Sequence, residues 1–186
     1  MKIAHISDVH IRNYRYHKEY QEVFEHLYKK LEELKPDIIV NTGDTAHTKL
    51  NLSPSYFDMA AKMSKRLGDI APYHIILGNH DLNLRNLSRV DAITPVIEAL
   101  NHPNIFLHKN TVQVDVGQDC VLNVLSIVDP ENWEPPNDKN KINIALYHGC
   151  VSGVTTDAGF VLSHGDISLS ELMGYDYVLL GDIHKT

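Results

Sequence analysis

Asp37-Ile38-Ile39-Val40-Asn41-Thr42-Gly43-Asp44-Thr45-Ala46-His47 is the stretch whose reading decides the fold. Ile38-Ile39-Val40 is an apolar, β-branched run too short for a helix, so it reads as a buried strand. It does not end in an ordinary turn. It ends in Gly43-Asp44, followed by His47. The same arrangement recurs on both sides. Ile3-Ala4-His5-Ile6 leads into Asp8-Val9-His10, and Tyr73-His74-Ile75-Ile76-Leu77 leads into Gly78-Asn79-His80-Asp81. Residues 142–147 lead into His148-Gly149, and Tyr177-Val178-Leu179-Leu180 leads into Gly181-Asp182-Ile183-His184.

Helices fill the intervals between the first strands. Tyr20, Val23, Phe24, Leu27, Leu31 and Leu34 recur at helical spacing over residues 17–34, and Pro36 stops that helix. Ser53-Pro54 is an N-cap followed by a proline at the first helical position. Tyr56, Phe57, Ala60, Met63 and Leu67 form the apolar stripe of this second helix, with Gly68 as its C-cap candidate. A third helix is predicted over about residues 89–100. From about residue 104 the period changes to two. Residues 105–107, 111–116 and 121–127 read as successive strands, with Gly117-Gln118-Asp119 as a hairpin turn. Residues 129–141 read as loop, and Ser168 to Glu171 is a capping box for a short helix ended by Gly174. Strands with crossover helices come first and a run of strands follows. Two sheets packed face to face with helices outside satisfy that order.

Composition narrows the class. The chain has 186 residues, 17 Lys and Arg against 24 Asp and Glu, a formal charge of −7, and 43% hydrophobic residues. These values exclude a disordered or collagen-like chain. No apolar run approaches the ~18 residues that span a bilayer, and Asp8 arrives too early for a signal-peptide core. The reading is therefore no membrane and a cytoplasmic location, in which Cys120 and Cys150 are reduced thiols. The net charge argues against sequence-blind adhesion to nucleic acid, without excluding an enzyme whose site carries its own cations. The chain has 12 histidines, and they direct attention to the strand ends.

In α/β sheets the ligand crevice lies outside the carboxyl ends of the strands. Five loops thus deliver carboxylate, imidazole and amide groups to one place. Each motif alone has a bland reading as a turn or a capped helix. Their shared position makes a metal site the better reading. A set without thiolate suits Mn²⁺, Fe²⁺ or Zn²⁺ at a catalytic centre better than a structural zinc cage. There are more ligands than one ion can use. Two ions ~3.5–4 Å apart would use them, acidify water, and hold the oxygens of an in-line displacement at phosphorus.

The ordered set Asp8-x-His10, Gly43-Asp44, Gly78-Asn79-His80-Asp81, His148 and Gly181-x-x-His184 resembles the calcineurin-like metallophosphoesterase superfamily over residues 8–184. The His47 that follows Gly43-Asp44 is similar to the SbcD branch, nuclease partners of ABC-type repair ATPases. The resemblance implies an α/β fold, a two-sheet α/β/β/α sandwich. It also implies a dinuclear site of two divalent ions, Mn²⁺ first, with Fe²⁺, Zn²⁺ or Mg²⁺ as alternatives. By position, Asp8, His10 and His184 would hold the first ion, Asp44 would bridge, and Asn79 and His148 would hold the second. His80 would act on the scissile phosphate, His47 would support it, and Asp81 would orient the loop. Asp182 stands where the family pattern Gly-His-x-His has a histidine, and is read as a ligand of the second ion. The implied activity is metal-dependent phosphodiester hydrolysis on DNA ends or strand breaks, as exonuclease or endonuclease. The implied partners are DNA and an ABC-type ATPase, with a homodimer left open and the host cytoplasm as the location of a viral or phage version. Residues 1–186 would be one nuclease domain, incomplete at its C-terminus and without the cap. Two alternatives stand beside this: a phosphoesterase for a nucleotide or other small phosphate ester, and a non-catalytic scaffold of the same fold.

Other residues carry less. Cys150 and Trp133 read as packing, with base stacking as the rival for Trp133. His5, His26, His74, His102 and His108 read as structural or surface residues. Arg12, Tyr14 and Arg15 read as a solvated approach to the first helix, with a phosphate entrance as the rival.

Overall fold

The computed structural model describes residues 1–155, 159 and 161–183. Its first half is a parallel sheet of β1 (Ile3–Ile6), β2 (Ile38–Asn41), β3 (Tyr73–Ile76) and β4 (Ile105–His108), in that spatial order. The crossovers are α1 (His17–Leu34), α2 (Pro54–Ile70) and α3 (Thr94–Leu100). A sheet that grows in one direction through crossovers of one hand keeps its helices on one face. The strand alternation shows the consequence. Ile39, Tyr73 and Ile75 face Phe24, Tyr28 and Leu31 of α1 and Tyr56, Met63 and Leu67 of α2, whereas Ile38, Val40 and Ile76 point to the opposite side.

That opposite side is covered by a second sheet. It comprises β5 (Val112–Gly117), β6 (Cys120–Leu125), β7 (Ile142–His148) and β10 (Tyr177–Gly181), ordered β10-β7-β6-β5. Only the β5–β6 pair is antiparallel. Leu122, Val124, Ile144 and Leu146 interleave with Ile38, Val40 and Ile76 between the sheets. The outer face of the second sheet buries Ala145 and Tyr147 under Trp133, under the short strands β8 (Val151–Ser152) and β9 (Ile167–Ser168), and under the 3-10 turn Leu169–Leu172. The sandwich is the one the sequence led to. Among the described residues no helix is long and apolar enough to cross a membrane.

The caps follow the sequence in part. Ser53 accepts from the Tyr56 N–H at 3.1 Å, and the Ser168–Glu171 capping box forms, although over a 3-10 turn. Three details differ. α3 starts at Thr94, not near residue 89, because the Asp91 side chain holds the Ile93 and Thr94 N–H groups at 2.9 and 2.6 Å as a turn. Gly68 lies inside α2, where an added Cβ would stand 2.7 Å from Ile105 and 3.0 Å from His102; it serves close packing and does not end the helix. The pair β8–β9 has no signal, since two-residue strands are too short for any period. Trp133 packs edge-on against Tyr147 and donates to the Ser126 carbonyl at 2.8 Å, so it is a packing residue.

His74 and His108 are structural. Their rings stack with nitrogens 3.0 Å apart, and the Phe106 ring stacks with His74 as well. Burial, and then the neighbouring His108, push His74 down to about 4; burial also lowers His108. A histidine whose folded value lies below its unfolded one makes the unfolded chain bind more protons. Its contribution is complete above about pH 6.5 and is lost as the pH falls towards about 4. For His74 that loss is roughly 2–3 kcal/mol. Urea unfolding of the wild-type chain and of His74→Phe is expected to show it: the variant loses less stability between pH 6.5 and 4. Parallel curves would remove His74 as the cause.

Candidate metal centre

The parallel strands β1, β2, β3, β7 and β10 end at one edge, and the polar loops meet there. Non-glycine left-handed turns set the geometry, at Asp8 (φ 54°), His10 (49°), Asp44 (55°) and Asp182 (69°). Non-glycine residues in this conformation are uncommon in proteins, and Asp and His are among those that tolerate it; elsewhere in the chain it occurs at caps and turns, as at Lys35 and Asn101. The first two loops are zipped together. Asp8 N–H donates to the Gly43 carbonyl at 3.0 Å, His10 N–H to Asp44 at 2.9 Å and Ile11 N–H to Thr45 at 2.9 Å.

Asp44 is the centre. It is fully buried, with Oδ1 3.3 Å from His148 Nε2 and Oδ2 3.6 Å from His10 Nε2. One oxygen thus addresses each side, as a bridging carboxylate must. Asp8 Oδ1 lies 3.8 Å from His10 Nε2. Two trios bring ligand atoms within 4.8 Å of one another: Asp8, Asp44 and His148, and His10, His47 and His80. The carboxylate of Asp182 joins neither trio. Its backbone N–H donates to both Asp8 oxygens at 3.1 Å. Asn79 is half-buried in the β3 loop between Gly78 and His80, and its carbonyl accepts from Lys49 at 3.0 Å. His184 lies outside the described residues.

Backbone contacts set the imidazole tautomers. His148 Nδ1 donates to the Thr42 carbonyl at 2.7 Å, so Nε2 carries the lone pair that faces Asp44. His80 Nδ1 donates to the His47 carbonyl at 2.7 Å, and His80 N–H donates to Asp44 Oδ1 at 2.8 Å. The His80 ring meets His10 edge-on at 4.8 Å. Among the described residues, Asp44 Oδ2, His47 Nδ1 and His148 Nε2 are buried polar atoms with no hydrogen-bond partner. Buried lone pairs converging without donors require a cation between them, and carboxylate with imidazole suits a divalent ion. A proton can fill part of that role. Burial alone would lower His148, but the Asp44 carboxylate and the Thr42 carbonyl outweigh it and raise the imidazole to about 9. Asp44 stays below the ordinary carboxylate range despite its burial, because His148 and the His80 N–H stabilise the anion. Burial, then the nearby Arg12 guanidinium, lower His47.

Several supports had little signal in the sequence. Asp81 is fully buried: Oδ2 accepts the Asp44 and Gly78 N–H groups at 2.8 and 3.0 Å, and Oδ1 accepts Ala46 N–H at 2.8 Å. Its position after Asn79-His80 was the only hint. Burial pushes its carboxyl up to about 7 even though these backbone donors pull the other way. Ser7 Oγ donates to Asp8, and the Tyr20 hydroxyl donates to the His10 carbonyl at 2.6 Å. Close approach explains two glycines. A Cβ on Gly78 would stand 2.5 Å from Asp44 N and collide with the Asp44 carboxylate; one on Gly181 would meet His148 Nδ1 and stand 2.7 Å from Ser7 Oγ.

With the fold and the site described, the chain can be compared with known proteins. The family model for calcineurin-like phosphoesterase matches residues 1–186. Uncharacterized protein R555 of Acanthamoeba polyphaga mimivirus is 38% identical over 197 residues, a match covering 98% of this chain and 14% of that protein's length. Among solved structures, the crystal structure of Pseudomonas putida nuclease MPE is similar with a TM-score of 0.42 and 18% identity, over 79% of this chain and 61% of that one.

Two outcomes are expected at this centre. Because an ion must displace the His148 proton, Mn²⁺ binding releases protons below about pH 9 and tightens as the pH rises towards it. Calorimetry in buffers of different ionisation enthalpy reads this directly; buffer-independent heats at pH 7 would rule it out. Gly78→Ala is expected to destabilise the chain by about 1–3 kcal/mol through overpacking and to weaken Mn²⁺ binding, because the added methyl displaces Asp44. Unfolding and titration of that variant check both effects, and an unchanged Mn²⁺ affinity would contradict the packing argument.

Proposed function

The chain belongs to the calcineurin-like phosphoesterase family, a family of metal-dependent hydrolases, and on that premise we propose that it is a phosphodiesterase acting on DNA. The observation that carries this reading is the placement of His80 next to Asp44 with its Nδ1 already engaged by the His47 carbonyl. Asp8, Asp44 and His148, with His10 beside them, would hold divalent ions, Mn²⁺ first, and Asn79, Asp182 and His184 would complete the set. When bound, the ions neutralise the phosphate and acidify the attacking water. The protein supplies the rest. Asp44 offers one oxygen to each side of the centre, and His148 is held in place by Thr42 from the opposite sheet. His80, with Nδ1–H fixed on the His47 carbonyl, presents Nε2–H to the leaving oxygen and protonates it as the P–O bond breaks. Burial, first of all, lowers the pKa of His47, which stands beside His80 as a supporting group.

A positioned acid contributes about 10²–10⁴-fold. His80→Ala is therefore expected to lose at least about 10²-fold in turnover of both a DNA oligonucleotide and bis(p-nitrophenyl) phosphate while Mn²⁺ binding persists. Loss of Mn²⁺ together with activity would make His80 a ligand. Hydrolysis of p-nitrophenyl phosphate without any diester hydrolysis by the wild-type chain would move the assignment to a small phosphate ester. A wild-type chain that binds Mn²⁺ and cleaves neither would leave the non-catalytic scaffold.

A further inference from the structure

The formal charge of −7 averages two unlike regions. Segments 11–17, 45–57 and 82–90, which follow the site residues of β1, β2 and β3, hold none of the 24 acidic residues and five of the 17 basic ones. The five are Arg12, Arg15, Lys49, Arg85 and Arg89. Elsewhere most basic side chains are paired, as in Lys62–Asp58, Lys65–Asp69, Lys109–Asp91 and Lys141–Asp115. None of the five has an acidic partner among the described residues. Arg15, Lys49, Arg85 and Arg89 are exposed.

The three segments form one surface. His47 N–H donates to the Ile11 carbonyl at 3.2 Å, and Ser53 holds Asn13 through both its N–H and its hydroxyl. Lys49 reaches the Asn79 carbonyl at 3.0 Å, which ties the second segment to the third. The third leaves Asp81 and returns to it, since Ala92 N–H donates to the Asp81 carbonyl at 2.8 Å. Within it, the turns Asn83–Asn86 and Asn86–Arg89 close on themselves, which leaves both arginines outside. The first segment interleaves charge with aromatic rings: Tyr14 is 82% exposed and Tyr16 is 56% exposed, with Arg12 over the Tyr16 ring at 5.9 Å.

From this geometry we propose that the three segments form a rim that binds an unpaired nucleic-acid strand beside the metal centre. The basic side chains take phosphates that flank the scissile one, and Tyr14 stacks an exposed base. The proposal rests on the phosphodiesterase reading and names how its substrate is held. Unpaired cations next to a phosphate-cleaving centre serve a polyanion and not a single phosphate, which the ions already neutralise. An exposed ring offers its face to an unstacked base, whereas the bases of a duplex are already stacked. The loop at residues 129–141 has the opposite balance, with Asp129, Glu131, Glu134 and Asp138 against Lys139 and Lys141.

Fluorescence anisotropy of labelled dT20 with the 186-residue chain tests the rim, in EDTA so that no turnover intervenes. Each phosphate contact on a single strand adds about 0.7 to the salt slope. The Arg85→Ala, Arg89→Ala double variant is expected to lower that slope by about 1.4. Stacking of one base is worth about 1–3 kcal/mol, so Tyr14→Ala is expected to weaken dT20 binding roughly tenfold, with Tyr14→Phe close to wild type. A labelled 20-bp duplex is expected to bind more weakly than dT20. All three variants are expected to keep wild-type turnover of bis(p-nitrophenyl) phosphate with Mn²⁺, which also reports that they fold. An unchanged slope in the double variant, equal losses for Tyr14→Ala and Tyr14→Phe, or tighter duplex binding overturns the rim. If the ester is still hydrolysed in that case, the phosphodiesterase reading stands. Binding of dT20 as expected by a chain that cleaves no diester overturns that reading and leaves the rim.

Discussion

His148 crosses from one sheet to the other, and the site depends on that crossing. It ends β7 of the second sheet, yet its Nδ1 donates to the Thr42 carbonyl beyond β2 of the first at 2.7 Å, and its Nε2 faces Asp44 at 3.3 Å. The centre therefore exists only when the two sheets are packed. The packing that brings them together is Ile38, Val40 and Ile76 against Leu122, Val124, Ile144 and Leu146. These side chains touch no substrate. They set the separation at which an imidazole of one sheet meets a carboxylate of the other.

Most of this was legible in the sequence because parallel strands impose a strict rule. If every strand runs the same way, every loop after a strand opens at the same edge. Five strand ends carrying Asp, His or Asn then amount to one site. What stayed hidden has a physical reason in each case. Thr42 acts through its carbonyl, and a backbone acceptor leaves no mark on residue type. Asp81 reads as orienting its loop, but the three N–H groups it accepts could not be named, because they depend on two loops meeting in space. The start of α3 was misplaced because Val90 and Ile93 kept the helical period, while the local competition of the Asp91 side chain for the same N–H groups decided the backbone. Gly68 looked like a stop signal, yet tertiary contact with Ile105 and His102 explains it.

Net charge says nothing of how charge is distributed along the chain. A sum over the chain cannot register that acidic residues are excluded from three short segments and concentrated elsewhere. Residues 111–186 hold 11 of the 24 acidic residues against three of the 17 basic ones, while helix α2 pairs its two acids with lysine at four-residue spacing, Lys62–Asp58 and Lys65–Asp69. The field that an approaching phosphate meets comes from the nearest loops, since the Debye length at physiological salt is only about 8 Å.

The left-handed turns at Asp8, His10, Asp44 and Asp182 complete the account. Such conformations cost of order 1–3 kcal/mol each, and a chain selected for stability alone would place glycine there. Glycine has no ligand to offer. The strain is held by what surrounds it: the ladder from Asp8, His10 and Ile11 to the β2 loop, the Asp81 carboxylate beneath Asp44, and the Asp182 N–H on Asp8. These contacts satisfy the backbone and, among the described residues, leave Asp44 Oδ2 without a hydrogen-bond partner, with His10 and His148 facing the same carboxylate. The polypeptide thus resolves the hydrogen bonding of its loops and gathers carboxylate and imidazole where a divalent cation would take the place of a proton.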